Sequence, residues 1–175
     1  MGPHAPRARV LAIYAKGHLI MNRLSGLLIL CLALVAGGCG TREPAELRPP
    51  DIVLGEDMCA DCGMSITDLR LATAAVTPDG KSLLFDDIGD MLHYRTSHDL
   101  PEGTAFFVHD YDSREWLPAH LAFYVQSSTL HTPMGSGLTA FAVKTRAEAM
   151  AAEQGTSVMD YETLSAMPLT QMRMH

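Results

Sequence analysis

The sequence predicts an α+β fold built from two tandem ββαβ units. Three observations carry that expectation. Short runs rich in Val, Phe, Leu and Ala occur twice in the order strand, strand, helix, strand. Val108-His109-Asp110-Tyr111-Asp112-Ser113 is echoed by Val158-Met159-Asp160-Tyr161-Glu162-Thr163 at a constant offset of fifty, and each run follows a Gly-Thr pair, Gly103-Thr104 and Gly155-Thr156. From Cys39 onward 137 residues remain, enough for one ordinary domain or two small subdomains.

The chain opens with targeting information. Residues 24–38 carry no charge, follow Arg23 directly and end in small residues. They fall short of the roughly twenty apolar residues a membrane-spanning helix needs. Residues 1–38 therefore read as a secretory signal segment. Residues 1–20 do not suit a signal peptide, and Met21-Asn22-Arg23 is a compact basic start, so Met21 is expected as the true initiator. Val35-Ala36-Gly37-Gly38-Cys39 resembles a bacterial lipobox, which implies cleavage before Cys39 and a lipid anchor on its sulfur. An ordinary signal peptide cut near Gly38 is the alternative. Gly40 departs from the inner-membrane retention pattern and favours the outer membrane, facing the periplasm.

Removing residues 1–38 removes four basic residues and no acid, leaving nine basic against 20 acidic residues. A net charge near −11 repels nucleic acid. Residues 39–51 contain three prolines and no periodicity, which reads as a lipidated flexible tether. The folded part is expected from Ile52.

The first unit, 52–113, takes the following elements. Leu71–Thr77 and Ser82–Phe85 are strands around a Pro78-Asp79-Gly80-Lys81 turn. Asp86-Asp87 stands at a helix start, where acids meet the positive end of the helix dipole. Ile88, Met91 and Leu92 continue at helical spacing, giving a helix over 87–97. Thr104–His109 closes the unit as a strand. The second unit, 114–167, has strands at Leu121–Gln126 and Leu138–Val143 and an Ala-rich helix at Arg146–Gln154 stopped by Gly155. Thr156–Met159 is a short strand and Glu162–Met167 a last helical turn. Residues 168–175 form a flexible tail whose Met172, Met174 and His175 are soft donors.

Met58-Cys59-Ala60-Asp61-Cys62-Gly63-Met64 places two thiols and two thioethers within seven residues. Its two cysteines are the only thiols expected in the folded part. A structural zinc site wants four ligands, and no second Cys-x-x-Cys exists; His93, His98, His109, His120, His131 or His175 would have to complete it, and only His93 and His98 lie close together. A thiol–disulfide oxidoreductase wants its first Cys at a helix N-terminus, whereas Gly63 directly after Cys62 argues against a helix there. A structural disulfide closing so small a loop would stabilise modestly. Soft-metal binding accounts for the most residues, because thiolates and thioethers select Cu(I). Gly63 lets the backbone fold so that Cys62 and Met64 face one point, and Cys59 reaches it across two residues. Met134, on a loop bounded by Pro133 and Gly135, is a further candidate ligand, with His131 three residues before it. Met150, Met159 and Met167 read as core.

The combination of Cys59-x-x-Cys62-Gly63-Met64, Phe85-Asp86-Asp87-Ile88-Gly89-Asp90-Met91-Leu92, Asp110-Tyr111, Glu115-Trp116-Leu117-Pro118-Ala119 and Thr132-Pro133-Met134-Gly135-Ser136-Gly137-Leu138-Thr139-Ala140-Phe141 resembles the NosL family. The resemblance covers roughly residues 55–145. It implies a non-enzymatic, lipid-anchored Cu(I) chaperone that serves nitrous-oxide reductase maturation. Its partners would be the apo-reductase and a membrane-bound maturation complex. It also implies two ββαβ units, as in the small-domain arrangement of an organomercurial lyase. Cys62 and Met64 match the family's copper-binding Cys-Gly-Met; Cys59, Met134 and His131 carry over less directly. The rival reading is an envelope thiol–disulfide oxidoreductase using Cys59 and Cys62. An organomercurial lyase-like activity rests on fold analogy alone.

Overall fold

The computed structural model describes residues 46–168 and 170. The signal segment, Cys39 and the Met172–His175 cluster lie outside the described residues. Strands β1 (Thr73–Val76) and β2 (Ser82–Phe85), helix α1 (Ile88–Ser97) and strand β3 (Ala105–His109) make the first ββαβ unit. Strands β5 (Phe123–Gln126) and β6 (Leu138–Phe141), helix α2 (Lys144–Gln154) and strand β7 (Val158–Met159) make the second. Helix α3 (Tyr161–Ala166) follows. The expected α+β class and the tandem strand–strand–helix–strand order are both observed. Among the described residues no helix is long and apolar enough to cross a membrane.

The two sheets share one wiring. The first runs β2-β1-β3 and the second β6-β5-β7, all antiparallel, so the first strand of each unit lies in the middle. The first sheet is extended by β4 (Trp116–Pro118), which pairs with β3. The sequence reading had no strand there. Pro118 lacks the N–H that a central strand needs, but an edge position tolerates it. Trp116 sits opposite His109 in the register and its ring lies 3.6 Å from the imidazole, centroid to centroid. The strand expected from Leu121 begins instead at Phe123, because Ala119–Leu121 forms a single 3-10 turn.

The sequence echo has a local structural basis. Asp110 accepts the Ser113 N–H at 2.9 Å, and Asp160 accepts the Thr163 N–H at 2.8 Å. The same side chain-to-backbone bond starts a turn into β4 in one unit and helix α3 in the other.

One core joins the units. Ala75, Phe85, Ile88, Met91, Leu92 and Val108 from the first pack with Tyr124, Leu138, Ala140 and Leu164 from the second, and Cys59 is part of this cluster. The opposite face of the first sheet, with Ala74 and Val76 of β1 and Phe107 of β3, is covered by Trp116 and by Leu47. Among the described residues packed contacts therefore include Leu47, within the segment that composition alone assigns to the tether.

Candidate metal centre

The sulfur run folds as a narrow loop. Cys59 donates its N–H to the Met64 carbonyl at 2.8 Å and Gly63 donates to the Cys59 carbonyl at 3.0 Å. Met58 and Ser65 form an isolated antiparallel bridge beneath them. Gly63 has φ of +73°, the left-handed conformation for which glycine carries no steric penalty. No helix runs through the two cysteines.

Two anchors hold this loop on the first unit. The Ala60 N–H donates to the Leu84 carbonyl at 2.7 Å, at the end of β2. The Asp61 carboxylate meets His93 Nδ1 of α1 at 2.9 Å. The loop is thereby set against the start of α1, and Cys59 and Cys62 are brought to Asp86 and Asp90. The Cys59 thiol lies 3.2 Å from Asp90 Oδ2, and the Cys62 thiol 3.5 Å from Asp86 Oδ1. The Cys62 N–H points at the Cys59 sulfur at 3.5 Å. One donor atom from each of these four residues lies within 4.8 Å of all the others. Both thiols are free; Cys59 is buried and Cys62 half-buried.

The electrostatics keep the thiols protonated. Burial, foremost, and neighbouring acid groups push the Cys59 thiol far above its ordinary value. The same causes raise Cys62 to about 11. Burial, with the charges of Asp86 and Asp87 beside it, raises Asp90 to about 6. A reactive redox cysteine needs the opposite shift. A bound metal ion is the agent that deprotonates such thiols.

The methionine candidates sit on two loops. Met64 follows on the Cys59–Cys62 turn and is 42% exposed. Met134 is half-buried and arrives from the second unit. Its N–H donates to Asp87 Oδ2 at 3.1 Å, one residue from Asp86. Asp87 also caps α1 by accepting the Gly89 N–H at 2.6 Å, and it accepts the Ser136 hydroxyl. Gly89 is required at this junction, since a Cβ there would stand 2.8 Å from Ser136 Cβ. His131 is exposed, and among the described residues no histidine joins the four-residue cluster. Met58 is exposed, and its sulfur accepts from the Ser65 hydroxyl at 3.5 Å.

Asp86 and Asp90 were not singled out from sequence as site residues. The available signal was the gathering of three acids, Asp86, Asp87 and Asp90, at the start of one helix. Asp90 also lies between the buried positions Ile88 and Met91.

This geometry has relatives. The model of the NosL family matches residues 52–167. The chain belongs to the NosL family. A curated NosL relative, the "copper-binding lipoprotein NosL" of Stutzerimonas stutzeri, is 27% identical over 151 residues, covering 79% of this chain and 78% of that one. The crystal structure of the copper chaperone NosL from Shewanella denitrificans matches with a TM-score of 0.58 at 22% identity. That match covers 67% of this chain and 95% of the other. At that identity the likeness is one of fold, and it accords with the α+β NosL architecture described above.

Proposed function

We propose that this chain is a non-enzymatic metallochaperone whose cargo is Cu(I). The observation that carries the reading is the meeting of two free thiols on a turn that also presents an exposed thioether, in a NosL-family chain whose relatives are named for copper. Cys62 and Cys59 bind as thiolates and Met64 as a thioether, with Met134 available from the neighbouring loop. Soft sulfur donors suit Cu(I), which accepts two or three ligands and exchanges them readily. The half-exposed Cys62 and the exposed Met64 leave the ion open on one side for transfer to an acceptor.

The acceptor in this reading is apo nitrous-oxide reductase, reached with its membrane maturation complex. The chain is held by lipid on Cys39 to a membrane of the bacterial envelope, the outer membrane favoured, and faces the periplasm. The curated relative's description as a lipoprotein supports the anchor.

Anaerobic titration against a chromophoric Cu(I) chelator tests the cargo. The full chain should bind one Cu(I). Cys62→Ala should weaken binding by roughly a thousandfold or more, and Met64→Ala by roughly tenfold. Unchanged affinity in Cys62→Ala would sink the proposal.

A further inference from the structure

Arg95 stands in the last turn of α1, at the end away from the cysteine loop. Arg48, Arg70 and Arg146 each face a carboxylate within 4.0 Å. Arg95 faces none among the described residues, although the chain from Cys39 carries a net charge near −11. Its side chain is nonetheless held in place. The guanidinium carbon lies 5.5 Å from the Phe106 ring centroid and 5.6 Å from that of Tyr161. Nη1 donates to the Tyr161 hydroxyl at 3.3 Å and to the Ser165 hydroxyl at 3.0 Å, and among the described residues Nε and Nη2 have no partner. A guanidinium fixed between aromatic rings with part of its fork unengaged is suited to a bidentate phosphate or carboxylate.

Arg95 lines a groove of about 560 Å³ with His120, Asp160 and Glu162. His120 and Tyr161 also line a second hollow of about 560 Å³, walled by Ala105, Phe106 and Phe107 and reached by Leu47. One end therefore offers a cation and two acids, and the other is apolar. Leu121, in the same turn as His120, is 61% exposed. Leu47 lies eight residues from Cys39, a span of at most about 29 Å. We propose that this groove holds one phospholipid of the anchoring membrane, with a zwitterionic, ammonium-bearing headgroup. Arg95 takes the phosphate, Asp160 and Glu162 take the ammonium, and an acyl chain follows Phe106 and Phe107. Leu121 enters the apolar edge of the bilayer. The same two acids and the net charge disfavour an anionic lipid.

Docking at this end fixes where the cysteine loop faces. Helix α1 has 10 residues, about 15 Å of length. Its start meets the Cys59–Cys62 loop, and its last turn carries Arg95. The first sheet separates the two sides as well, since Leu47 covers its outer face and Cys59 packs in the core on its inner one. The loop is thereby turned from the bilayer toward an acceptor outside it. The inference takes its membrane from the proposed anchor at Cys39 and does not depend on the copper reading.

Trp116 is the chain's one tryptophan, and its ring lies 6.5 Å from that of Phe107, so its fluorescence reads the groove without a label. The full chain, processed in a bacterial host, is placed in equimolar phosphatidylethanolamine–phosphatidylglycerol vesicles. Bromine is carried on the acyl chains of one lipid or of the other. Brominated phosphatidylethanolamine should quench Trp116 at least about twofold more than brominated phosphatidylglycerol. Arg95→Gln should remove that excess, and Leu121→Ser, at an exposed position, should reduce it by about half. Equal quenching by the two lipids, or an excess unchanged in either variant, overturns the inference. No quenching by either lipid also overturns it and leaves the groove to a protein partner. Vesicle flotation reads the anchor separately. A chain that floats without the excess keeps the anchor and loses the groove; Cys39→Ser that no longer floats at low lipid but shows the excess at high lipid keeps the groove.

Discussion

In the first unit β2 ends at Phe85 and the chain passes through Asp86 and Asp87 into α1. In the second, β6 ends at Phe141 and the chain passes through Ala142 and Val143 into α2. Both phenylalanines are fully buried, and both helices start three residues later. The strand order and the pairing are the same. The difference lies in what decorates the junction. The first helix start carries three acids and receives the Cys59–Cys62 loop. The second carries Lys144 and Arg146, with Arg146 turned to Asp112 at 2.8 Å. Identical wiring thus supports the Cys59–Cys62–Asp86–Asp90 cluster, a candidate metal centre, in one unit and a plain helix start in the other. The second unit reaches the first helix start through one loop, 132–137, whose Met134 N–H and Ser136 hydroxyl donate to Asp87.

The largest effect expected from that asymmetry is in pH. Both thiols of the first unit are raised, Cys62 to about 11 and Cys59 further, so each must lose a proton when it takes a metal. Protons then compete with Cu(I), and loading weakens as pH falls. Above pH 7 Asp90 is already mostly ionised, leaving the thiols as the groups that release protons. Between about pH 7 and 8.5 the apparent affinity should rise about a hundredfold per pH unit. Cys59→Ala should reduce that slope to about tenfold. A slope already tenfold in the wild-type chain would show that Cys62 alone binds as thiolate.

Next in size is the tie between the units. Asp87 is fully buried and satisfies the Gly89 N–H, the Met134 N–H and the Ser136 hydroxyl. Asp87→Ala removes a helix cap and the acceptor of the half-buried Met134 N–H and of the buried Ser136 hydroxyl, at a cost of about 2–3 kcal/mol in urea unfolding. The same variant should weaken Cu(I) binding only if Met134 reaches the metal, which makes it a test of that residue.

Asp90 should show that the centre is held against the stability of the fold. Its carboxyl is raised from its ordinary value to about 6, so the folded state favours the protonated form. That contribution is present at low pH and is lost as pH rises through about 6. The melting temperature of the metal-free chain should therefore fall between pH 4 and 7. Asp90→Asn should flatten the fall and raise the melting point at pH 7.5, measured by scanning fluorimetry with a chelator. A lower melting point in the variant at pH 7.5 would mean that the acid stabilises the fold.

The strands, helices and tandem order were legible because burial imposes period and punctuation on short segments. Ile88, Met91 and Leu92 mark a helix, and Gly155 marks its successor's end, whatever lies around them. Strand β4 was hidden, since Trp116-Leu117-Pro118 is too short for a pattern and contains a residue that argues against strands. The cysteines of the centre stood out as rare residue types at a rare spacing. Asp86 and Asp90 did not. An acid at a helix start has an ordinary reason to be there, and only the docking of a loop 24 residues earlier in the chain gives it another. Leu47 was misplaced for the same kind of reason. A single apolar residue among prolines has no period, and its packing depends on a sheet face formed much later in the chain.

The smallest effect concerns the junction that carries no site. Val143 occupies the cap position of α2 with extended backbone angles and no side-chain bond to the helix. Its side chain is 54% exposed, so replacing it forfeits little burial. Val143→Asp supplies the carboxylate that Asp87 provides in the first unit, beside Lys144 and Arg146 and at the positive end of the helix dipole. It should stabilise the chain by about 1 kcal/mol in urea unfolding, and it should leave Cu(I) binding as it was. An acid alone at a helix start is then a cap; it becomes part of a metal centre only where the Cys59–Cys62 loop docks against it. Metal binding created or strengthened in Val143→Asp would show instead that the helix start, and not the docked loop, is what draws the ion.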